Sequence, residues 1–64
     1  MNKEQYRNVL LDQLDGYEKA LYNAFERYKK ATTLVDKLVE LKYVQRSSRH
    51  IDEVLRLLKK IEEG

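Results

Sequence analysis

An unbroken helical stripe of apolar residues constrains this chain more than any other feature of its sequence. Between residues 10 and 38 the apolar positions alternate at spacings of four and three, the a/d pattern of a helix that packs along another helix. The positions are Leu10, Leu14, Tyr17, Leu21, Ala24, Tyr28, Ala31, Val35 and Leu38. The chain has no Pro and only two Gly, so few residues oppose helix formation. The pattern predicts one long amphipathic, coiled-coil-like helix over about residues 3–45.

A second stripe begins after a polar segment, QRSSRH, at residues 45–50. Ser47 and Ser48 are good N-cap residues, and Asp52 suits the first turn of a helix that follows them. Apolar residues then recur at helical spacing, at Ile51, Val54, Leu55, Leu58 and Ile61. The sequence therefore predicts a short antiparallel helix over about residues 49–63. The fold class would be all-α, a helical hairpin in which residues 1–64 form a single small domain.

Gly16 suggests an alternative to the long first helix. Asp15 and Glu18 have the spacing of a capping box, which would start a new helix beside Gly16. The helices of such a three-helix chain would span about residues 3–14, 17–45 and 49–63. The stripe keeps its register from Leu14 to Tyr17, however, and Gly inside a helix costs only about 1 kcal/mol relative to Ala. We favour the continuous helix and keep the break at Gly16 as the alternative.

The predicted helices differ greatly in length, and this would leave much of the stripe uncovered. At 1.5 Å per residue the first helix would be roughly 64 Å long and the second about 22 Å. A long exposed apolar stripe is typical of a protein interface, and Tyr is enriched in such interfaces. We therefore expect contact with another helix through Leu10, Leu14, Tyr17, Leu21, Phe25 and Tyr28.

The small size of the chain also favours association. Domains below about 70–80 residues usually need disulfides, a structural metal or a partner to add to a small core. The sequence has no Cys and a single His, His50, so neither a disulfide nor a Cys- or His-based zinc site is expected. We expect no cofactor. The expected partner is the protein itself, as a homodimer, or a larger protein.

The sequence gives no basis for an enzyme. It has no Cys nucleophile, no Gly-rich phosphate loop and no H-E-x-x-H metal motif. Ser47, Ser48, His50 and Asp52 lie close together, but a hydrolytic triad also needs an enclosed pocket and an oxyanion hole, which two helices do not readily form. We expect a non-enzymatic interaction module that serves as an adaptor, a structural subunit or a regulator of a larger protein.

Basic residues around the predicted turn suggest nucleic-acid binding as an alternative function. Lys42, Arg46, Arg49 and His50 could contact phosphates, assisted by free N–H groups at the start of the second helix. A small helical-hairpin dimer could bind RNA or DNA in this way. The cluster is short, however, and acidic residues flank it. We therefore do not expect nucleic acid to be the main partner.

The chain also lacks the signals of export or membrane insertion. Its first residues include no apolar segment typical of a signal peptide, and no apolar run approaches 18 residues. We expect a cytoplasmic protein without a membrane partner.

One short segment resembles a known family. The eight residues SRHIDEVL, positions 48–55, resemble the S-Q-E-L-D motif of the small aspartyl-phosphate phosphatases of sporulation phosphorelays, which are also short helical hairpins. Ser48, Ile51 and Asp52 match this motif, whereas Arg49 and His50 stand where the family has Gln and Glu. The resemblance would imply a phosphorelay regulator. The long predicted first helix departs from the family, and no activity is carried over.

Overall fold

The computed structural model describes residues 2–64. These residues form two antiparallel α-helices. Helix α1 spans Lys3–Lys30 and helix α2 spans Leu34–Glu63, with three residues between them. The molecule measures 47 × 15 × 14 Å, the shape of a hairpin whose two arms have nearly equal length. The all-α class and the helical hairpin that the sequence predicts are confirmed.

Local signals fix both ends of α1. The side chain of Asn2 accepts a hydrogen bond from the Gln5 backbone N–H at 2.8 Å, and the Gln5 side chain accepts one from the Asn2 backbone N–H at 3.3 Å. This reciprocal capping box satisfies backbone donors that the first turn leaves without a helical partner. Arg27, Lys29 and Lys30 lie in the last turn, where positive charge interacts favourably with the helix dipole.

The turn lies at residues 31–33, so the predicted break at Ser47 and Ser48 is wrong. The predicted helices over residues 3–45 and 49–63 are replaced by helices of 28 and 30 residues, and α2 runs through both serines. The apolar spacing passes through the actual turn unchanged, which is why the pattern gives no sign of it. The serines lie well inside the helix, where their capping ability has no role.

Capping at Thr33 explains why α2 begins where it does. The Thr33 hydroxyl accepts a hydrogen bond from the Asp36 backbone N–H at 3.1 Å. The Asp36 carboxylate also places negative charge in the first turn, near the positive end of the helix dipole. Thr32 and Thr33 are β-branched residues with lower helix propensity than Ala or Leu. Interrupting the helix at these two residues, between α1 and α2, therefore costs less free energy.

Helix α1 is continuous through Gly16, as the sequence predicts, and the three-helix alternative with a break at Gly16 does not form. The backbone there has no positive φ angle, so the helix does not need a glycine at this position. A Cβ atom added at Gly16 would meet no heavy atom within 4 Å. The periodicity of the stripe, which keeps its register across Gly16, identified the continuous helix correctly.

The contact face of α1 is the stripe that the sequence identifies. Its buried or half-buried positions are Leu10, Leu14, Tyr17, Leu21, Ala24, Tyr28 and Ala31. The matching positions of α2 have the same alternating spacing, and three of them are polar. The eight contact positions of α2 are Lys37, Glu40, Val44, Ser47, Ile51, Val54, Leu58 and Ile61. In the first half of the α2 contact face, Val44 is therefore the one apolar position of this series.

The best-buried part of the hairpin is small and lies near the chain ends. Leu10 of α1 packs with Val54 and Leu58 of α2, and Leu14, Tyr17 and Ile61 pack against this cluster. Nearer the turn, Ala24 is also buried. The turn half of the contact also includes polar interactions. Lys37 donates a hydrogen bond to the Tyr28 carbonyl oxygen at 3.1 Å, and Arg27 forms an ion pair with Glu40 at 2.8 Å.

Replacing both Ser47 and Ser48 with Ala should stabilise the hairpin by up to about 1 kcal/mol, because Ala is the better helix former inside α2. If the two serines capped a helix, the same change would instead cost about 0.5–2 kcal/mol. Urea unfolding followed by circular dichroism measures the sign of the effect. Thr33→Ala is the control, since it removes the N-cap seen in the structure and should cost about 1 kcal/mol.

Candidate interaction surface

The six residues predicted to form an interface lie mostly between the two helices of the hairpin. Leu10 is buried, four others are half-buried, and Phe25 is exposed. The four are Leu14, Tyr17, Leu21 and Tyr28. The predicted length mismatch that motivated this interface does not exist, because α2 is as long as α1 and covers the stripe from Leu10 to Ala31. Of the six, Phe25 offers the largest accessible fraction, with 47% of its surface exposed.

Large apolar side chains are nevertheless abundant on the surface. Within residues 2–64, thirteen of them are exposed, whereas the buried apolar residues number four. The exposed residues are Tyr6, Val9, Leu11, Tyr22, Phe25, Leu34, Val35, Leu38, Val39, Leu41, Tyr43, Leu55 and Leu57. Single exposed apolar residues are normal in soluble proteins, but contiguous apolar patches mark sites of interaction. The exposed apolar residues that lie next to one another are therefore the candidates for an interaction surface.

Helical spacing groups seven of the exposed residues into two sets. On α1, Leu11, Tyr22 and Phe25 are separated by eleven and three residues, which places them along one side of the helix. On α2 the second set is separated by four, three and fourteen residues and also follows one side. Its members are Leu34, Leu38, Leu41 and Leu55.

Contacts between the helices show that both sets lie on the same side of the hairpin. Arg27 lies on the side of α1 away from Phe25, and it contacts Glu40 at 2.8 Å and the Tyr43 ring at 6.0 Å. Tyr43 lies on the side of α2 away from Leu41. The sides that carry Phe25 and Leu41 therefore coincide. We call this surface the apolar face, formed by Leu11, Tyr22, Phe25, Leu34, Leu38, Leu41 and Leu55.

Charged residues border the apolar face differently at its two ends. Near the turn, Lys29 lies four residues from Phe25, and Lys37 lies between Leu34 and Leu41. Lys29 forms an ion pair with Glu26 at 2.9 Å and lies over the Phe25 ring at 5.1 Å. The Lys37 ammonium lies 4.8 Å from the centre of the Tyr28 ring.

The Lys29 ammonium, by its hydrogen bond and its charge, lowers the pKa of the Glu26 carboxyl. The far end of the apolar face instead carries charges of both signs. Glu4 and Glu62 lie seven residues from Leu11 and Leu55, and neither forms an ion pair within residues 2–64. Arg7, four residues from Leu11, adds a positive charge at that end.

The residues predicted to bind anions lie in the middle of α2 and not at a turn. The helix N-terminus that was expected to assist them is therefore absent from this part of the molecule. Lys42, Arg46 and Arg49 are exposed, and the Arg46 guanidinium lies 5.9 Å from the Tyr43 ring centre. His50 lies against α1, where its ring stacks on Tyr17 with 4.7 Å between centroids. The three cations remain together on the surface, and His50 belongs to the contact between the helices.

The remaining polar residues of this region share one continuous helix. Ser47 is half-buried against α1, whereas Ser48 and Asp52 are exposed and one helical turn apart. The segment that resembles the phosphatase motif therefore lies within α2. Two surface depressions, one beside Arg46 and Arg49 and one near the chain ends, are open to solvent. Within residues 2–64, no three His, Asp or Glu side chains are grouped to hold a metal ion.

Comparisons with protein-family models, with curated proteins and with solved structures found no match. In the described part of the chain, neither helix is both long and apolar enough to span a membrane.

The sequence missed most of the apolar face. The apolar spacing places Leu34, Leu38 and Leu41 on the long predicted first helix, because the stripe continues through them. A signal for the correct turn was present in the threonine at position 33 followed three residues later by Asp36, a pattern typical of a helix start.

Proposed function

We propose that this protein is a small non-enzymatic interaction module that binds another helical surface through its exposed apolar side chains. The partner is a second copy of the chain or a larger protein, for which the hairpin would serve as adaptor, structural subunit or regulator. The observation that carries the proposal is that, in the described part of the chain, thirteen large apolar residues are exposed and four apolar residues are buried. A cytoplasmic location remains part of the proposal.

The energetics of a small core support this function. A chain of about 60 residues buries only about 60% of the surface that it exposes when unfolded. Full burial of one large apolar side chain contributes roughly 1.5–3 kcal/mol. Among residues 2–64 the buried cluster consists of Leu10, Val54 and Leu58, so the hairpin alone has little net stability. Covering the apolar face would add several contributions of the same kind, offset by the entropy of association.

The shape of the molecule also favours binding over catalysis. General acid–base and covalent catalysis depend on groups held in a preorganised pocket that excludes water. The two surface depressions are open to solvent; charged groups of α2 line the one beside Arg46 and Arg49, and charged groups of both helices line the one near the chain ends. A flat two-helix surface is instead well suited to pack against further helices.

Nucleic-acid binding is a second candidate, supported by one observation. Lys42, Arg46 and Arg49 are all exposed, and no acidic residue lies between them in the sequence. Asp52 and Glu53 follow closely, and the net charge of the chain is only +2. Binding through these cations would weaken steeply as salt is added, because it would depend on counterion release from phosphates.

Thermal unfolding at several protein concentrations tests the proposed function. If association stabilises the folded state, the melting temperature should rise by several degrees between low micromolar and hundreds of micromolar protein. Sedimentation equilibrium on the same samples gives the mass of the species present. A poorly folded monomer would indicate that the required partner is a larger protein. A well-folded monomer with a constant melting temperature would contradict the proposal, since such a hairpin needs no partner.

A further inference from the structure

We infer that the apolar face is covered by the apolar face of a second copy, in an antiparallel dimer that places the turn of each hairpin against the chain ends of the other. The inference rests on the proposed function and specifies its partner. The two-fold axis would be perpendicular to the long axis of the hairpins. Helix α1 would then pack across α1 of the second copy, and α2 across α2, in a four-helix arrangement.

The area of the apolar face fits a dimer. Its seven side chains are between 36% and 73% exposed. With roughly 200 Å² for a fully accessible large apolar residue, they offer on the order of 700 Å² per copy, close to the ~800 Å² that each partner contributes to a stable interface. A surface that meets an identical copy closes on itself, so no further apolar area from this face remains exposed.

The positions of the apolar residues match in the antiparallel arrangement. Tyr17 stacks on His50, so these two residues mark the same height near the middle of the hairpin. Phe25 and Leu41 lie on the turn side of this height, and Leu11 and Leu55 lie at a similar distance on the other side. Rotation about an axis through the middle brings Phe25 near Leu11 of the second copy, and Leu41 near its Leu55.

Charge distinguishes this arrangement from a parallel one. In a parallel dimer the two turns would lie together, and α1 would face α2 of the second copy, bringing Lys29 of one chain close to Lys37 of the other. Like charges in contact are unfavourable. In the antiparallel dimer both lysines instead reach the far end of the second copy, which carries Arg7 but also Glu4 and Glu62, two acidic residues without an ion pair within residues 2–64.

One residue marks the middle of the apolar face, where the two-fold axis would pass. Glu18 lies seven residues from both Leu11 and Phe25, near the height of Tyr17, and is exposed. In the antiparallel dimer the two copies of Glu18 come close together across the axis. Their like charges oppose association there, so the apolar contacts on both sides must outweigh this repulsion.

A matched pair of substitutions tests which face is covered. Leu41 and Val39 are exposed to a similar extent, 36% and 46%, but lie on opposite sides of α2. Leu41→Asp should weaken dimerisation by at least about a hundredfold, because each copy would bury a charge in the interface. Val39→Asp should leave it within a few fold. Sedimentation equilibrium measures both. Loss of the dimer with Val39→Asp but not with Leu41→Asp would overturn the inference while leaving the proposed function intact.

Cysteine cross-linking tests the direction of packing in an otherwise unchanged chain, and it stays informative if Leu41→Asp fails to fold. The protein has no Cys, so single variants report one contact each. Under mild oxidation, Glu18→Cys should form a disulfide-linked dimer, whereas Thr32→Cys in the turn should not. A linked dimer with Thr32→Cys and not with Glu18→Cys would overturn the antiparallel arrangement. A wild-type chain that is a folded monomer at all concentrations would overturn the dimer itself.

Discussion

Replacing Leu58 with Ala should unfold most of the protein at micromolar concentration. Leu58 is 9% exposed and belongs to the three-residue cluster that it forms with Leu10 and Val54. Truncation of a buried leucine to alanine costs about 2–5 kcal/mol. A core in a domain of this size rarely supplies more than ~3–5 kcal/mol of net stability, so one such loss removes most of it. Far-UV circular dichroism should show a large loss of helix signal at 25 °C.

Leu57→Ala is the matched control for this prediction. It makes the same chemical change one residue away, at a side chain that is 36% exposed and does not belong to the buried cluster. Leu and Ala are both strong helix formers, so the change should cost less than about 1 kcal/mol. Equal destabilisation by the two variants would show that the cluster around Leu58 is not the main source of stability.

Replacing Arg49 with Pro should destabilise the hairpin by about 3 kcal/mol or more. Arg49 lies in the middle of α2, where a proline ring clashes with the carbonyl group of residue 45 and removes one helical hydrogen bond. If a turn lay at Ser47 and Ser48, Arg49 would instead be the first residue of a helix, a position that proline favours. Thermal unfolding followed by circular dichroism therefore distinguishes the two positions of the turn.

The matched control is Leu34→Pro at the actual start of α2. The N–H of the first helical residue has no partner within the helix, so its loss costs little. Thr33, with φ −106° and ψ 153°, already has the extended backbone that a residue before proline requires. Helix content should be retained in Leu34→Pro and reduced in Arg49→Pro. The reverse result would contradict a turn at residues 31–33.

The contact face of α1 could be predicted from the sequence because one stripe of one helix is covered along its whole length. From Leu10 to Ala31 the apolar residues that the pattern identifies are those that the structure buries or half-buries. Continuity through Gly16 followed from the same periodicity, because a turn at this position would have no reason to preserve the register on both sides.

The turn could not be located from the apolar pattern because Val35 and Leu38 continue the spacing of the first helix. Beyond the turn these two residues point outward, with 70% and 49% of their surfaces exposed. Residues 31–33 include no Gly or Pro. The capping role of Thr33 depends on its backbone geometry, which the spacing of apolar residues does not indicate.

The first half of the α2 contact face was hidden for a different reason. Lys37 and Glu40 occupy contact positions because of partners on α1: the Tyr28 ring and carbonyl for Lys37, and Arg27 for Glu40. Long charged side chains can cover apolar surface with their aliphatic stems while their charged groups find polar partners. The contacts of Lys37 and Glu40 with α1 can be recognised only when the two helices are placed side by side. The apolar face could not be predicted from the sequence for the same reason.

The buried cluster of this hairpin lies far from the turn and joins residues that are distant in the sequence. Contacts beside the turn close the smallest loop and cost the least chain entropy, but here they are polar and partly exposed. The buried apolar cluster joins Leu10 to Leu58, which lie near opposite ends of the chain. Local opening should therefore begin in the helical segments next to the turn, and their amide hydrogens should exchange with solvent sooner than those around Leu10 and Leu58.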